Sequence, residues 1–346
     1  MTLRLLAVHQ LGRWTAPWDQ LVDASPLPTP FLRSWWLTAT AGPRTHIMLA
    51  VQDGQLLGGL ALDGGRLLGR PCWRMCGAGP LCPDHLDLLA APGYENAVAT
   101  AVQAWLSRPG ARILDLAGVR ADSPLRMILP APVSCEALAV APWASLPADP
   151  GSYLAARPAG FRKTLRKATA RMAAAGASHR AHRGASAVRS LERLRQMHCA
   201  QWGSRSRFLP SFDRFAAACC LGAEADEVAV HELATQDALI ATMATFEVAG
   251  RLSLYQSARL TDFQWRDVTL VLLAGVISDA CTRGFTEVDF LRGDEPYKSN
   301  FARQQRELLR LRAATTGTGR ALLAADAIAR SARSATARSA LLGARR

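Results

Sequence analysis

Asp289-Phe-Leu-Arg-Gly-Asp-Glu-Pro-Tyr-Lys298 leaves the end of a strand and enters a short helix, and its surroundings decide how the second half of the chain folds. Thr286–Leu291 reads as that strand, and the apolar run Thr269–Arg283 ahead of it reads as a helix closed by Gly284. Before the helix come three strand-like runs, Val228–Ala234, Leu239–Val248 and Arg251–Ala258, joined at Gln236-Asp237 and Ala249-Gly250. The last strand reaches the helix through a loop carrying Asp262, Trp265, Arg266 and Asp267. A strand–loop–helix–strand unit results, and its helix N-terminus turns free N–H groups and a positive dipole end toward the loop, a natural seat for phosphate. Pro296 suits a first helical position, with Asp294 and Glu295 in front and Tyr297, Lys298 and Phe301 on the first turns behind. Arg306–Ala313 reads as one more strand, and the chain from about Thr318 as an Ala/Arg-rich helix or tail.

Upstream, Phe161, Leu165, Ala168 and Met172 recur at steps of four, three and four, one face of a helix. Arg162, Lys163, Arg166, Lys167 and Arg171 cover the rest of it, either as a solvated face or as a site for phosphate groups, and Gly176 caps it. A second helix, about Ala187 to Trp202, buries Leu191, Leu194 and His198. A lone histidine on an apolar face is more often a packed residue than a functional one.

The first half reads as mixed α/β. Helices at Pro17–Ala24 and Phe31–Thr40 precede the strands Ile47–Val51 and Gln55–Ala61, whose connection contains the hairpin signal Asp53-Gly54. A helix from Tyr94 to Ser107 stops at Pro109-Gly110, and the strands Arg112–Leu116 and Ser134–Val140 follow. Pro142, Pro147, Pro150 and Gly151 then interrupt the pattern, so a boundary is expected near residue 150. The order helix, glycine, Ile-Leu-Asp115 in the first half echoes helix, Gly284, Glu-Val-Asp289 in the second, as two related lobes would. The first copy contains no lysine, so chemistry that needs Lys298 belongs to the second.

Three hundred and forty-six residues are enough for two cores, and 49% hydrophobic with 20% charged residues excludes a disordered chain. The net charge of +13 suggests a polyanion partner until it is localised. Residues 157–195 carry 11 basic residues against one acid and residues 301–346 ten against two, so the remainder has a net charge of −5. Only Lys163, Lys167 and Lys298 are lysine. Such a skew to arginine reads as base composition of the gene rather than selection for phosphate contacts. Arg4, His9 and Arg13 interrupt any leader-like apolar core, and Val268–Ser278 is far short of the ~20 residues that span a bilayer, so a cytoplasmic protein without a membrane span is expected. The eight cysteines read as packing residues. Cys72, Cys76, Cys82 and His85 lie in a Gly/Pro-rich loop but lack paired knuckle spacing, so no metal is expected.

The stretches Ser152-Tyr-Leu-Ala-Ala-Arg157, Phe161-Arg-Lys-Thr-Leu-Arg166 and His198-x-x-x-Trp202, and above all Asp289–Lys298, resemble the CelD/BcsL-type acetyltransferases. That family belongs to the Gcn5-related N-acyltransferase (GNAT) superfamily and is akin to the two-lobe Fem-type transferases. The resemblance covers roughly Trp14 to Leu311. It implies an α/β (α+β) fold of two tandem GNAT-like lobes, each a mixed, largely antiparallel sheet flanked by helices. Residues 1–150 would form a non-catalytic lobe and 151–315 the catalytic one, with a basic linking helix at 160–176 and a basic helix or tail at 316–346.

The resemblance also implies acyl transfer from acetyl-CoA or another acyl-CoA to an amine, a small molecule or a polysaccharide precursor, by direct attack in a ternary complex. Lys298 would stabilise the oxyanion, Asp289 or His198 would accept the amine proton, and Tyr255 or Tyr297 would protonate the thiolate. Gln256, Arg266, Val268, Thr269 and Arg292 would hold the acyl-CoA, and Trp202, Arg162, Arg166, Asp294 and Glu295 the acceptor. The turn Trp265–Thr269 departs from the family in lacking glycine, where Arg266 offers a charged contact instead. A Fem-like ligase using aminoacyl-tRNA and a non-catalytic two-lobe binding protein are the alternatives. Either a monomer or a homodimer is compatible with the sequence.

Overall fold

The computed structural model describes residues 3–108 and 113–343, with side chains as far as Arg330. The helix stop at Pro109-Gly110 and the first residue of the strand expected at Arg112 lie outside the described residues. In the first half the strands are β1 (Arg4–Val8), β2 (Thr45–Gln52), β3 (Gln55–Leu67), β4 (Arg70–Met75), β5 (Leu89–Ala90), β6 (Ile113–Arg120) and β7 (Ser134–Ser145). Its helices are α1 (Thr15–Ala24), α2 (Ser34–Thr40), α3 (Glu95–Leu106) and the single turn α4 (Leu125–Ile128). The second half contributes α5 (Pro150–Ala155), α6 (Ala159–Ala174), β8 (Ser178–Arg183), α7 (Ala185–Trp202), α8 (Phe212–Glu224), β9 (Val228–Ala234), β10 (Leu239–Val248), β11 (Arg251–Arg259), α9 (Val268–Thr282), β12 (Glu287–Asp289), β13 (Gln304–Ala314) and α10 (Gly317–Gly343).

These strands form one mixed sheet in the order β1-β2-β3-β4-β6-β13-β7-β12-β11-β10-β9-β8, with β5 on the flank of β3. The two halves expected on either side of residue 150 interleave within it. β13 lies between β6 and β7, and β7 in turn pairs with β12. Each half contains a strand–helix–strand crossover ending in a brief parallel pair, β4 with β6 around α3 and β11 with β12 around α9. The echo in the sequence is therefore a structural repeat, a mixed α/β tandem arrangement flanked by helices.

Two buried clusters hold the halves together. One joins Trp18, Phe31 and Trp36 of the first half to Phe215 and Phe246 of the second, with Phe31 and Trp36 set edge-on to Phe246 at 5.8 and 5.9 Å between ring centroids. The other lies beneath α6 and α9, where Phe161, Leu165, Ala168 and Met172 are the buried stripe that the four-three-four spacing requires. Phe161 meets Phe301 edge-on at 4.9 Å, which seats the start of α6 beside the end of the Asp289–Lys298 motif.

The motif itself is tighter than its sequence suggests. β12 is only three residues long, and Pro296 leads into a 3-10 turn, Lys298–Asn300, rather than a full helix. β7 runs on past Pro142 to Ser145, because its later residues pair with both β12 and β13. The C-terminal helix docks at its start: Arg312 on β13 is buried and reaches both the Leu323 carbonyl and Asp326.

Candidate active site

β11 and β12 pair in parallel through Arg251↔Glu287, Leu252↔Val288 and Ser253↔Asp289, and then separate. On its other edge β11 carries a bulge: Ala244 pairs with Gln256 and Thr245 with Leu254, so Tyr255 is an extra residue. A bulge unpairs backbone and re-aims side chains. The separated strands open a cavity of about 1050 Å³. Met243, Leu254, Leu272, Leu273 and Phe290 give it an apolar wall, Thr269 and Leu270 bring in the first turn of α9, and Trp202, Phe263 and Arg266 stand at its rim. Asp267 precedes α9 in a left-handed conformation (φ +65°), which is uncommon for a non-glycine residue. Arg171 of α6 bonds the Arg266 carbonyl and approaches the Asp267 carboxylate at 3.4 Å, tying the basic helix to the loop that presents the helix N-terminus. The Arg266 guanidinium rests on the Phe263 ring at 4.4 Å.

The turn after β12 has all four of its peptide N–H groups bonded. Phe290 donates to the Pro142 carbonyl (2.9 Å), Leu291 to Asp289 Oδ1 (2.7 Å), Arg292 to Asp84 Oδ2 (2.7 Å) and Gly293 to the Val140 carbonyl (2.9 Å). The carbonyls of Leu291, Arg292 and Gly293 in turn accept from Lys298 Nζ at 3.3, 2.9 and 3.4 Å. Glu295 Oε2 lies 2.9 Å from the same ammonium, which is only 6% exposed at the cavity wall. Lys298 therefore places a buried cation beside the open strands while closing the motif on itself.

Asp289, expected as a base, does not line the cavity. Its buried carboxylate takes the Arg251 guanidinium (2.8 Å), His85 Nε2 (2.8 Å) and the Leu291 N–H. Burial alone would raise its pKa, but His85 and Arg251 outweigh that and hold the carboxyl well below the usual range. It stays ionised and shapes the turn. Tyr255, expected as an acid, donates its hydroxyl to the Leu81 carbonyl at 2.5 Å, and burial pushes its pKa far up. Tyr297 faces the cavity with its pKa pushed up to about 12 by burial and by Glu295, so its phenol is protonated at neutral pH. His198 also lines the cavity. Its Nε2 pairs with Ser206 Oγ at 2.9 Å, its Nδ1 is buried, and burial lowers its pKa, partly offset by the Ser257 backbone. A neutral imidazole results.

Gln256, Thr269, Arg266, Arg292, Trp202 and Glu295 all border the cavity. Val268, expected to contact acyl-CoA, is a fully buried core residue instead, since the first turn of α9 points Thr269 and Leu270 at the opening. Arg292 is turned toward the first half, with Nε on Asp84 Oδ1 (2.6 Å) and Nη2 on the Pro83 carbonyl (2.7 Å). Asp294 is exposed outside the lining, and Arg162 and Arg166 are exposed on α6, also outside it. Cys72, Cys76, Cys82 and His85 do not converge: Cys72 packs with Ile113 and Leu323, Cys76 contacts Thr40, Cys82 lines the cavity and His85 meets Asp289. Among the described residues, His231, Glu247 and Asp279 bring ligand atoms within 4.8 Å of one another. Arg183 bonds both carboxylates there and Arg283 bonds Glu247, so the negative charge is already compensated.

Sequence reasoning missed Asp84 of the first half and Arg251 of the second, and read His85 only with the cysteines of its loop. Asp84 and His85 sit in a loop with no periodicity, and only the nearby Gly118 hints at a close approach: a Cβ there would lie 2.3 Å from the Pro83 carbonyl.

Residues 159–299 match the acetyltransferase (GNAT) domain family. The matched segment runs from the basic helix through β11, α9 and β12 to Lys298. Among solved structures, FemX superposes with a TM-score of 0.60 at 11% identity, over 88% of this chain and 96% of that one. A tandem GNAT protein from the clavulanic acid biosynthesis pathway gives 0.51 at 12% identity, over 91% and 99%. L-PGS from Bacillus licheniformis gives 0.54 at 11% identity, over 81% and 87%. No curated protein matches the chain in sequence. The fold is thus the tandem GNAT arrangement, and the family match supports an acyltransferase. Among the described residues, no helix is long and apolar enough to cross a membrane.

Proposed function

We propose that the protein is an N-acyltransferase that moves an acetyl or other acyl group from acyl-CoA to an amine by direct attack within a ternary complex. The observation that carries this reading is the cavity opened between β11 and β12 at the N-terminus of α9, where a thioester chain can enter with its phosphates at the helix end. Thr269 and Arg266 face the phosphates, and Gln256 and Leu254 flank the chain. His198 takes the proton from the amine as its nitrogen attacks the thioester carbon. The bulged backbone at Tyr255 and the Lys298 cation face the oxygen that gains charge, and Tyr297 gives its proton to the sulfur as the C–S bond breaks. Within this reading the Asp289–Lys298 motif supports a CelD/BcsL-type enzyme acting in the cytoplasm, where acyl-CoA is available, on a small amine or a polysaccharide precursor.

One set of observations favours a Fem-like ligase using aminoacyl-tRNA. The turn before α9 has no glycine and places Asp267 at the helix start, while Arg162, Lys163, Arg166 and Lys167 have no acidic partner among the described residues. Calorimetry separates the two. Saturable acetyl-CoA binding that Arg266→Glu weakens, with amine-dependent thiol release, supports the first reading. No acyl-CoA binding, together with tRNA binding that weakens steeply with salt, overturns it in favour of the second.

A further inference from the structure

A buried carboxylate from the first half of the chain holds Arg292, whose carbonyl meets the cation at the cavity wall. A lysine ammonium is a point charge on a flexible stem, so it settles where acceptors are placed. For Lys298 those acceptors are the carbonyls of Leu291, Arg292 and Gly293. The plane of the peptide between Leu291 and Arg292 is set by the N–H of Arg292, which Asp84 Oδ2 accepts at 2.7 Å while Oδ1 takes the Nε of the same residue at 2.6 Å. The Asp84 side chain is 1% exposed, and Arg292 Nη2, itself 2.5 Å from Asp84 Oδ1, donates to the Pro83 carbonyl.

The loop that carries Asp84 is itself immobilised. Thr29 Oγ1 donates to the Asp84 carbonyl (3.1 Å), Tyr255 to the Leu81 carbonyl, and Leu86 N–H to the Gly118 carbonyl (2.8 Å). Cys82 and His85 flank it at φ +46° and +57°, a conformation that non-glycine residues hold only under constraint. Leu291 on the opposite side is held at φ +52°. Two strained segments thus meet through one buried carboxylate.

We infer that Asp84 is a positioning residue for Lys298: by holding the Arg292 N–H it orients the Leu291 carbonyl, and by holding the Arg292 side chain it anchors the residue whose own carbonyl lies closest to the ammonium. The first half is then required for the chemistry of the second. This rests on the transfer reaction proposed above, but the geometric part can be read without it, because Lys298 is the only buried lysine of three. In the full chain labelled with 15N-lysine, the Nζ signals of Lys163 and Lys167 come from exposed groups on α6, leaving that of Lys298 as the reporter.

Asp84→Asn is expected to shift or broaden the Lys298 signal and to lower kcat about 10- to 100-fold with donor KM nearly unchanged, as a small misplacement of a charged group does. The double variant Asp84→Asn/Lys298→Met should be no slower than Lys298→Met alone, since a residue acting through the lysine has nothing left to act on. Thr29→Val removes one anchor of the same loop without touching the carboxylate and should move the Lys298 signal in the same direction but by less. If Asp84→Asn does not fold, Asp84→Glu, which keeps the charge but displaces the carboxylate from the Arg292 N–H, carries the same comparison. An unmoved Lys298 signal with wild-type kcat, or additive losses in the double variant, overturns the inference. A moved signal in a protein that transfers no acyl group to any amine would instead uphold the positioning and refute the reaction.

Discussion

Ser253 and Asp289 are the last residues that β11 and β12 share: beyond this pair the strands part and the cavity begins. Ser257, one pleat past the bulge and opposite Met243, points to the apolar wall where a thioester chain would lie. Ser257→Trp should fill that space from an already open wall. Acetyl-CoA binding by calorimetry is expected to weaken more than about tenfold, ~1.4 kcal/mol, with little change in melting temperature. Binding at wild-type strength in that variant would place the donor elsewhere.

Lys298→Met removes the cation but keeps an unbranched apolar stem. The three carbonyls it served lie at a cavity wall that water can reach, so the expected stability loss is modest, about 1–3 kcal/mol. Turnover should fall by about 100-fold or more if the charge stabilises the oxyanion. Thiol release and urea unfolding on the same preparation check both numbers, and a variant that is unstable yet active would reduce Lys298 to a structural clamp.

Phe161 seats α6 by its edge-on contact with Phe301, whose carbonyl also accepts from the Tyr153 hydroxyl at 2.7 Å and from Arg157. Phe161→Ala leaves a hole at this junction and is expected to cost about 3–5 kcal/mol in urea unfolding. The start of α6 should also lose protection in hydrogen exchange before the first-half core does.

Acidification should destabilise the fold through its buried histidines. Burial lowers the pKa of His231 strongly and of His179 and His198 less, so these rings stay neutral in the native state while they protonate in the unfolded chain near ~6.5. The unfolded state then binds more protons, and stability falls as pH drops below about 6.5. Melting temperature should decline from pH 7 to pH 5, and His231→Leu should flatten that decline. An unchanged slope would mean that His231 finds a partner for its proton.

The elements around the candidate site were legible because their signals are local. The buried stripe of α6, the capping Gly284 and the strand pairs flanking Ala249-Gly250 all appear where residue spacing puts them. Roles were less legible. Asp289 reads equally as a base or as a structural ion, and only its contacts with Arg251 and His85 separate the two. Tyr255 and Tyr297 are indistinguishable as phenols in sequence and both border the cavity, yet Tyr255 spends its proton on the Leu81 carbonyl.

The sequence by itself determined the periodicities, the repeat of helix, strand and aspartate in each half, and the location of the excess positive charge in two segments, because each depends on neighbours a few residues apart. Tertiary structure alone decided that β7 and β13 interleave the halves, that a bulge sits at Tyr255, and that Asp84 reaches Arg292 across 208 positions of chain. Those contacts arise from sheet closure and from the requirement that every buried N–H and carboxylate find a partner, a constraint that acts through space and leaves no spacing to read.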